Sequence, residues 1–212
     1  MIALYQTIRI IIYDLDGVLV DSFQANLTYY NRLLRHFGLP PLGPEHYQLI
    51  QTGTSPEVIA AIFPNPALAD QARAYEQQMD NDDILPLIRL EPSARPTLVE
   101  LRRRGYRTAI ATNRGKSLPL VLAHHDLTPL FDLTVGSRQV QAPKPHPRYL
   151  ELILETFGLP PQQALYLGDA PVDAQLAAAV GVPFLAYRNP QLPALAHLEN
   201  HWQLLDLLPP AP

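Results

Sequence analysis

With 212 residues, 47% of them hydrophobic and 17% charged, the chain is long enough to bury a core and polar enough to stay in water. Sixteen Lys plus Arg against twenty Asp plus Glu leave a formal charge of -4, which excludes the basic excess that a nucleic-acid backbone requires. The absence of cysteine excludes disulfides, thiolate metal sites and thiol catalysis, and no apolar run is long enough to span a bilayer or read as a signal peptide, so a cytoplasmic protein is expected.

Residues 8–14 are apolar and β-branched almost throughout and then break at Asp14, Asp16 and Gly17, which predicts a central parallel strand buried on both faces. Ser22 is placed as an N-cap before Leu27, Tyr30, Leu34 and Phe37, whose spacing predicts an amphipathic helix ended by Gly38 and two prolines. Val58, Ile59, Ile62 and Phe63 predict a second helix and residues 66–79 a third, followed by a loop at 80–83. No strand is expected between Val20 and about Leu90. From Glu91 the pattern changes to alternation: a helix around Leu98 and Leu101, strand 106–111, helix 115–125, strand 131–135, and a helix carrying Leu150, Ile153, Leu154 and Phe157. Strand 164–167, a helix with Val172, Leu176 and Val180, and strand 182–186 follow, and residues 202–212 read as a short docked or frayed tail. Strands alternating with helices imply an α/β fold with a doubly wound, Rossmann-like parallel sheet. The expected organisation is a core of residues 1–19 and 91–212, with a small all-helical cap of residues 20–90 inserted after the first strand.

The chemistry gathers at strand ends. Asp14 and Asp16, two apart at the end of the first strand, aim both carboxylates the same way, and Gly17 lets the chain turn. Thr112 and Asn113 follow the next core strand, Lys144 lies in the loop after the third, and Asp169 and Asp173 follow the fourth. Ligands of open α/β sheets bind beyond the carboxyl ends of the strands, where these groups converge. Crowded carboxylates need a hard divalent cation to join them, and oxygen ligands with room for water and phosphate describe magnesium. Lys144, one of only two lysines, adds the charge that holds a phosphoryl group.

The motifs DLDGVLVDS (14–22), ATN (111–113), KPHP (144–147) and GDAPVDAQLAAAVG (168–181) stand in the order and contexts of the haloacid dehalogenase superfamily, which the chain resembles over nearly its whole length. The resemblance implies that Asp14 is a nucleophile forming an aspartyl phosphate and that Asp16 is the general acid and base. It implies that Thr112, the backbone at Asn113 and Lys144 bind the phosphoryl oxygens, and that Asp14, the Asp16 carbonyl and Asp169 hold magnesium with Asp173 in or just behind that shell. Ala170, where relatives often carry Thr or Ser, departs from the pattern and removes a hydrogen bond near the metal. Gly53 and Thr54 fall where relatives place a substrate-specificity loop in the cap, and Arg114 is a further candidate beside the Asn113 turn.

Asp16 argues against dehalogenation, and the lack of lysine between Val20 and Leu90 against phosphonate cleavage. The expected activity is therefore a magnesium-dependent phosphatase acting on a small phosphomonoester of the phosphoglycolate or sugar-phosphate type. A β-phosphoglucomutase-like mutase and a non-catalytic binding protein on the same fold are the alternatives. No nucleic-acid or membrane partner is expected, and the protein is expected as a monomer or weak homodimer. Three features are read as structural: Arg102 to Arg104 as a solvated helix face, His124 and His125 as neighbours pointing apart, and residues 80–83 as an acidic loop without the glycine and distal glutamate of a calcium site.

Overall fold

The structure is a computed structural model describing residues 5–80 and 83–209. Its strands, in chain order, are β1 (Ile10–Tyr13), β2 (Val20–Asp21), β3 (Arg89–Leu90), β4 (Arg107–Ala111), β5 (Leu133–Val135), β6 (Ala164–Gly168), β7 (Phe184–Tyr187) and β8 (Ala196–Leu198). Six of them form one parallel sheet in the order β5-β4-β1-β6-β7-β8, with β1 in register between Arg107–Ala111 on one side and β6 on the other. All four residues of β1 are buried, and alternation sends Ile11 and Tyr13 into one face cluster and Ile10 and Ile12 into the other. Burial of each isoleucine stabilises the sheet by roughly 1.5–3 kcal/mol, so a charge placed at Ile12 would break the fold at its centre.

Helices Ala94–Arg103 and Leu118–His124 supply Leu98, Leu101, Val121 and Leu122 to the Tyr13 face, and Arg148–Phe157 and Pro171–Val180 supply Ile153 and Leu176 to the other. Between strands β2 and β3 the described residues form the helices Phe23–His36, Tyr47–Thr52, Ser55–Ile62 and Pro66–Glu76. These helices bury their own cluster, including Leu33, Leu34, Ile50, Val58, Ile59 and Phe63, apart from both sheet clusters. No helix of the described residues is long and apolar enough to cross a membrane.

Several expectations are corrected. Val20–Asp21 and Arg89–Leu90 do form strands, pairing antiparallel with each other; two residues are too few to show a period. Helix Tyr47–Thr52 and strand β8 were not anticipated, the strand lying in a proline-interrupted segment. Arg102 and Arg104 are not merely solvated. Arg102 pairs with Asp132 at 2.8 Å, and Arg104 donates to the carbonyls of Leu205 and Leu208 at 2.8 and 2.6 Å, docking helix Trp202–Leu207 onto the core. His124 ends its helix and His125 lies just past it, so the rings meet edge to face at 4.8 Å instead of diverging. Asn81, Asp82 and residues 210–212 lie outside the described residues.

Candidate active site

The connection after β1 leads toward β4 and that after β6 toward β7, so the crevice at their carboxyl ends is the topological switch point of the sheet. Asp14 follows β1, Thr112 follows β4, Asp169 follows β6, and Lys144 lies on the crossover from β5 to β6. All four line one cavity of about 620 Å³ between the sheet and the helices of residues 20–90.

Asp14 is fixed through one oxygen: Oδ1 accepts from the Leu15 N–H at 2.7 Å and lies 2.9 Å from Lys144 Nζ. Lys144 in turn donates to Asp173 Oδ1 at 2.8 Å and to the Tyr166 hydroxyl at 2.7 Å, while Tyr166 donates to the same Asp173 oxygen at 2.6 Å. The second Asp173 oxygen takes the Ala170 N–H at 3.1 Å. Burial disfavours the Lys144 ammonium, but Asp14 and Asp173 together outweigh it and hold it protonated. Asp173 has its side chain fully buried and holds the lysine on its Oδ1. Gly168 is required beside it, since a Cβ there would stand 2.4 Å from the Asp173 Cβ. Ala170, the N-cap of helix Pro171–Val180, has no side-chain oxygen, so only its backbone N–H joins it to the Asp173 carboxylate.

Asp14, Asp169 and Asp173 bring carboxylate oxygens within 4.8 Å of one another. Burial first, then the neighbouring carboxylates, push Asp14 up to about 7 and Asp169 up to about 8, with Lys144 opposing in both. A hard divalent cation would relieve this crowding, and an all-oxygen donor set suits one. Gly17 makes the approach possible: it has φ +81°, and a Cβ on it would lie 2.1 Å from Asp169 Oδ2. Asn189 steadies the Asp169 backbone by donating to its carbonyl at 2.8 Å.

Asp16 stands apart from that cluster. Arg114 grips it through both oxygens, Nε to Oδ2 at 3.0 Å and Nη2 to Oδ1 at 2.5 Å, and the Ser22 hydroxyl donates to Oδ1 as well. Burial would raise its pKa, but Arg114 and Ser22 outweigh it and hold the carboxyl below the usual range. Ser22, expected to cap helix Phe23–His36, makes no side-chain cap bond and serves Asp16 instead.

Thr112 is buried and its hydroxyl accepts from the Arg114 N–H at 3.1 Å, shaping the turn. Asn113 ties three segments together: Oδ1 accepts from the Lys144 N–H at 2.8 Å and the Tyr149 hydroxyl at 3.2 Å, while Nδ2 donates to the Thr52 carbonyl at 2.8 Å. Gly53 and Thr54 line the cavity, but the Thr54 hydroxyl is occupied by Glu57, whose Oε2 it reaches at 2.8 Å. Tyr166 and Glu76 were not anticipated, and for Arg114 the sequence showed only its position beside the turn. A tyrosine midway along an otherwise apolar buried strand was the one signal for Tyr166.

The profile of the haloacid dehalogenase-like hydrolases matches residues 11–187. The chain is 31% identical over 203 residues to a Rhodobacter capsulatus protein named phosphoglycolate phosphatase, covering 88% of this chain and 89% of that one. A protein of the same name from Aliivibrio fischeri is 31% identical over 188 residues, covering 84% and 83%. Among solved structures, a haloacid dehalogenase superfamily hydrolase of subfamily IA from Geobacter sulfurreducens is 37% identical with a TM-score of 0.79, covering 96% of this chain and 98% of that one. β-Phosphoglucomutase of Clostridium difficile, 16% identical with a TM-score of 0.80 over 93% of each chain, shares the fold. Matched by the profile from β1 to the end of β7, the chain belongs to the haloacid dehalogenase-like hydrolase family.

Proposed function

We propose that the protein is a magnesium-dependent phosphatase that hydrolyses a small-molecule phosphomonoester through an aspartyl phosphate on Asp14. The observation that carries the reading is the Asp14 carboxylate itself, oriented by the Leu15 N–H and Lys144 beside two further carboxylates. A carboxylate oxygen of Asp14 attacks phosphorus as the bond to the leaving oxygen breaks, and Asp16, once protonated and clear of Arg114, gives that oxygen its proton. Water then attacks phosphorus, Asp16 takes the proton, and the bond to Asp14 breaks to release inorganic phosphate. Lys144, the Thr112 hydroxyl and the backbone at Asn113 hold the phosphoryl oxygens. Asp14, the Asp16 carbonyl and Asp169 would hold magnesium with Asp173 behind them, and the ion supplies the charge neutralisation that lets an anionic carboxylate meet a phosphoester.

Residues 20–90 act as a cap on the core of residues 1–19 and 91–212, hinged at the paired strands β2 and β3. Closure excludes bulk water, and the bond from Asn113 to Thr52 joins the cap to the phosphate-binding turn. Relatives named phosphoglycolate phosphatase at about 30% identity favour hydrolysis over the mutase. The test is inorganic phosphate release from a panel of phosphomonoesters by wild type and Asp14→Asn, with and without magnesium. Release requiring both Asp14 and magnesium is expected; release by Asp14→Asn at the wild-type rate would overturn the mechanism.

A further inference from the structure

The turn that follows β1 carries Asp16 and orients Asp14, and most of its bonds are local. The Leu15 N–H holds Asp14 Oδ1, the Leu15 carbonyl accepts from the Leu19 and Val20 N–H groups at 2.9 and 3.0 Å, and the Gly17 N–H donates to the Val20 carbonyl at 2.8 Å. The Val18 carbonyl is met from outside the turn. Val18 is fully buried, and His201 Nε2 lies 2.9 Å from its oxygen, across 183 residues of chain.

His201 is itself fully buried and does not line the cavity. Its ring stacks on Tyr187 with centroids 4.7 Å apart and lies 6.0 Å from the ring of Tyr13, the residue before Asp14. Burial pushes its pKa down to about 4, so the ring is neutral, and Nε2, facing a carbonyl that can only accept, carries the proton. Nδ1 is buried without a hydrogen-bond partner among the described residues, so the polar contact of the ring is the one to Val18. The backbone that bears the ring is fixed as well. The His201 N–H donates to Ser93 Oγ at 3.1 Å, and the helix it opens, Trp202–Leu207, is docked by Arg104. Arg188 meets Glu91 through Nη1 and Nη2, each at 2.9 Å, the Tyr187 hydroxyl reaches Glu91 Oε2 at 3.3 Å, and the Glu91 N–H donates to the Leu19 carbonyl at 2.9 Å. Residues 187–201 thus brace the chain on both sides of residues 20–90, at Val18 before them and at Glu91 and Ser93 after them.

We infer that His201 is a positioning residue for the reaction at Asp14: the bond from its Nε2–H to the Val18 carbonyl fixes the turn that aims Asp14 and carries Asp16. The inference rests on the phosphatase reading above and deepens it. A reacting carboxylate displaced by about 1 Å from the line of attack loses on the order of 10²-fold in rate. Lys144, Thr112 and Asn113, to which that reading gives the phosphoryl oxygens, come from other strand ends and keep their places. Loss of the His201 bond is therefore read in kcat and not in KM.

The experiment compares His201→Phe, which keeps a stacking ring without the donor, with His201→Gln, whose amide nitrogen reaches about as far as Nε2. It measures kcat and KM for p-nitrophenyl phosphate and 2-phosphoglycolate with magnesium, and amide hydrogen exchange of the metal-free proteins. His201→Phe is expected to lower kcat at least about tenfold with KM within about twofold of wild type. The peptide spanning residues 14–22 is expected to exchange about tenfold faster while that of β4 exchanges as in wild type. His201→Gln is expected to recover most of both losses. If His201→Phe does not fold, His201→Asn, whose shorter amide stops short of Val18, must show the same pair of changes. A folded variant without the donor that keeps wild-type kcat, or a His201→Gln protein as impaired as His201→Phe, overturns the inference alone. No magnesium-dependent release by wild type from either ester overturns the phosphatase reading, and unchanged exchange of residues 14–22 in His201→Phe then overturns the anchor as well.

Discussion

The floor of the cavity and its cap-side wall use similar side chains but hold them differently. On the floor, Lys144 and Asp173 have side-chain exposures of 1% and 0%, and with Tyr166 and Asp14 they form a closed set hung from strand ends. On the wall, Glu76, Tyr29 and Ser55 also bond one another, yet they sit partly exposed on helices joined to the core through two-residue strands. A reacting carboxylate needs the fixed geometry that a buried parallel sheet provides, whereas recognition of a leaving group needs a surface that can open. The same division separates Asp14 from Asp16 two residues later. The first is crowded among carboxylates with its pKa raised; the second is gripped by Arg114 with its pKa lowered.

The floor breaks most sharply at Asp14, where Asp14→Asn should reduce turnover on the order of 10⁴-fold or more while the circular dichroism spectrum and melting curve stay near wild type. Lys144→Ala strands two buried carboxylates without their cation, and truncating such a set costs about 3–5 kcal/mol. Urea denaturation without metal should show that loss, and a change below about 1 kcal/mol would mean the lysine is not the keystone of the floor. Arg114→Met frees Asp16 from its clamp without touching the floor; since the first step uses Asp16 protonated and clear of Arg114, kcat should change by less than about tenfold while the alkaline limb of its pH profile moves to higher pH, and a loss as large as at Asp14 would contradict that role.

The raised carboxyls of the floor also set a pH dependence. Asp14 and Asp169, at about 7 and about 8, bind more protons folded than unfolded above the ordinary carboxylate range. The metal-free protein therefore loses stability as pH rises through that window. Magnesium competes with those protons, so the rise in melting temperature it causes should grow between about pH 6 and pH 8.5. Equal shifts at both pH values would show that these carboxylates do not hold the ion. The smallest effect is expected from Tyr166→Phe, which removes one hydroxyl from Lys144 and Asp173 and should cost about 1–3 kcal/mol in the same urea experiment.

The floor was largely legible in the sequence because its residues directly follow apolar strands, and a strand end in an α/β pattern has a known place in space. Asp14, Thr112, Lys144 and Asp169 were foreseen there, and all line one cavity. The alternation from Glu91 onward likewise anticipated most of the sheet. What was hidden depends on partners far apart in the chain. Arg114 meets Asp16 across 98 residues and Asn113 meets Thr52 across 61, and no local period encodes either meeting. Tyr166 reads as one more large residue in a buried strand until the fold sets its hydroxyl against Lys144 and Asp173. Strands β2 and β3 are shorter than one alternation, and β8, at three residues, is barely longer.

The most direct test of the account is to trap the covalent intermediate. Wild-type protein mixed with magnesium and a phosphomonoester that it turns over, quenched in acid within one turnover and reduced with borohydride, would be mapped by peptide mass spectrometry. The account predicts conversion of the Asp14 carboxyl to the alcohol of homoserine, only when substrate and magnesium are both present. An unmodified Asp14 under conditions where phosphate is being released, or reduction at another aspartate, would contradict it.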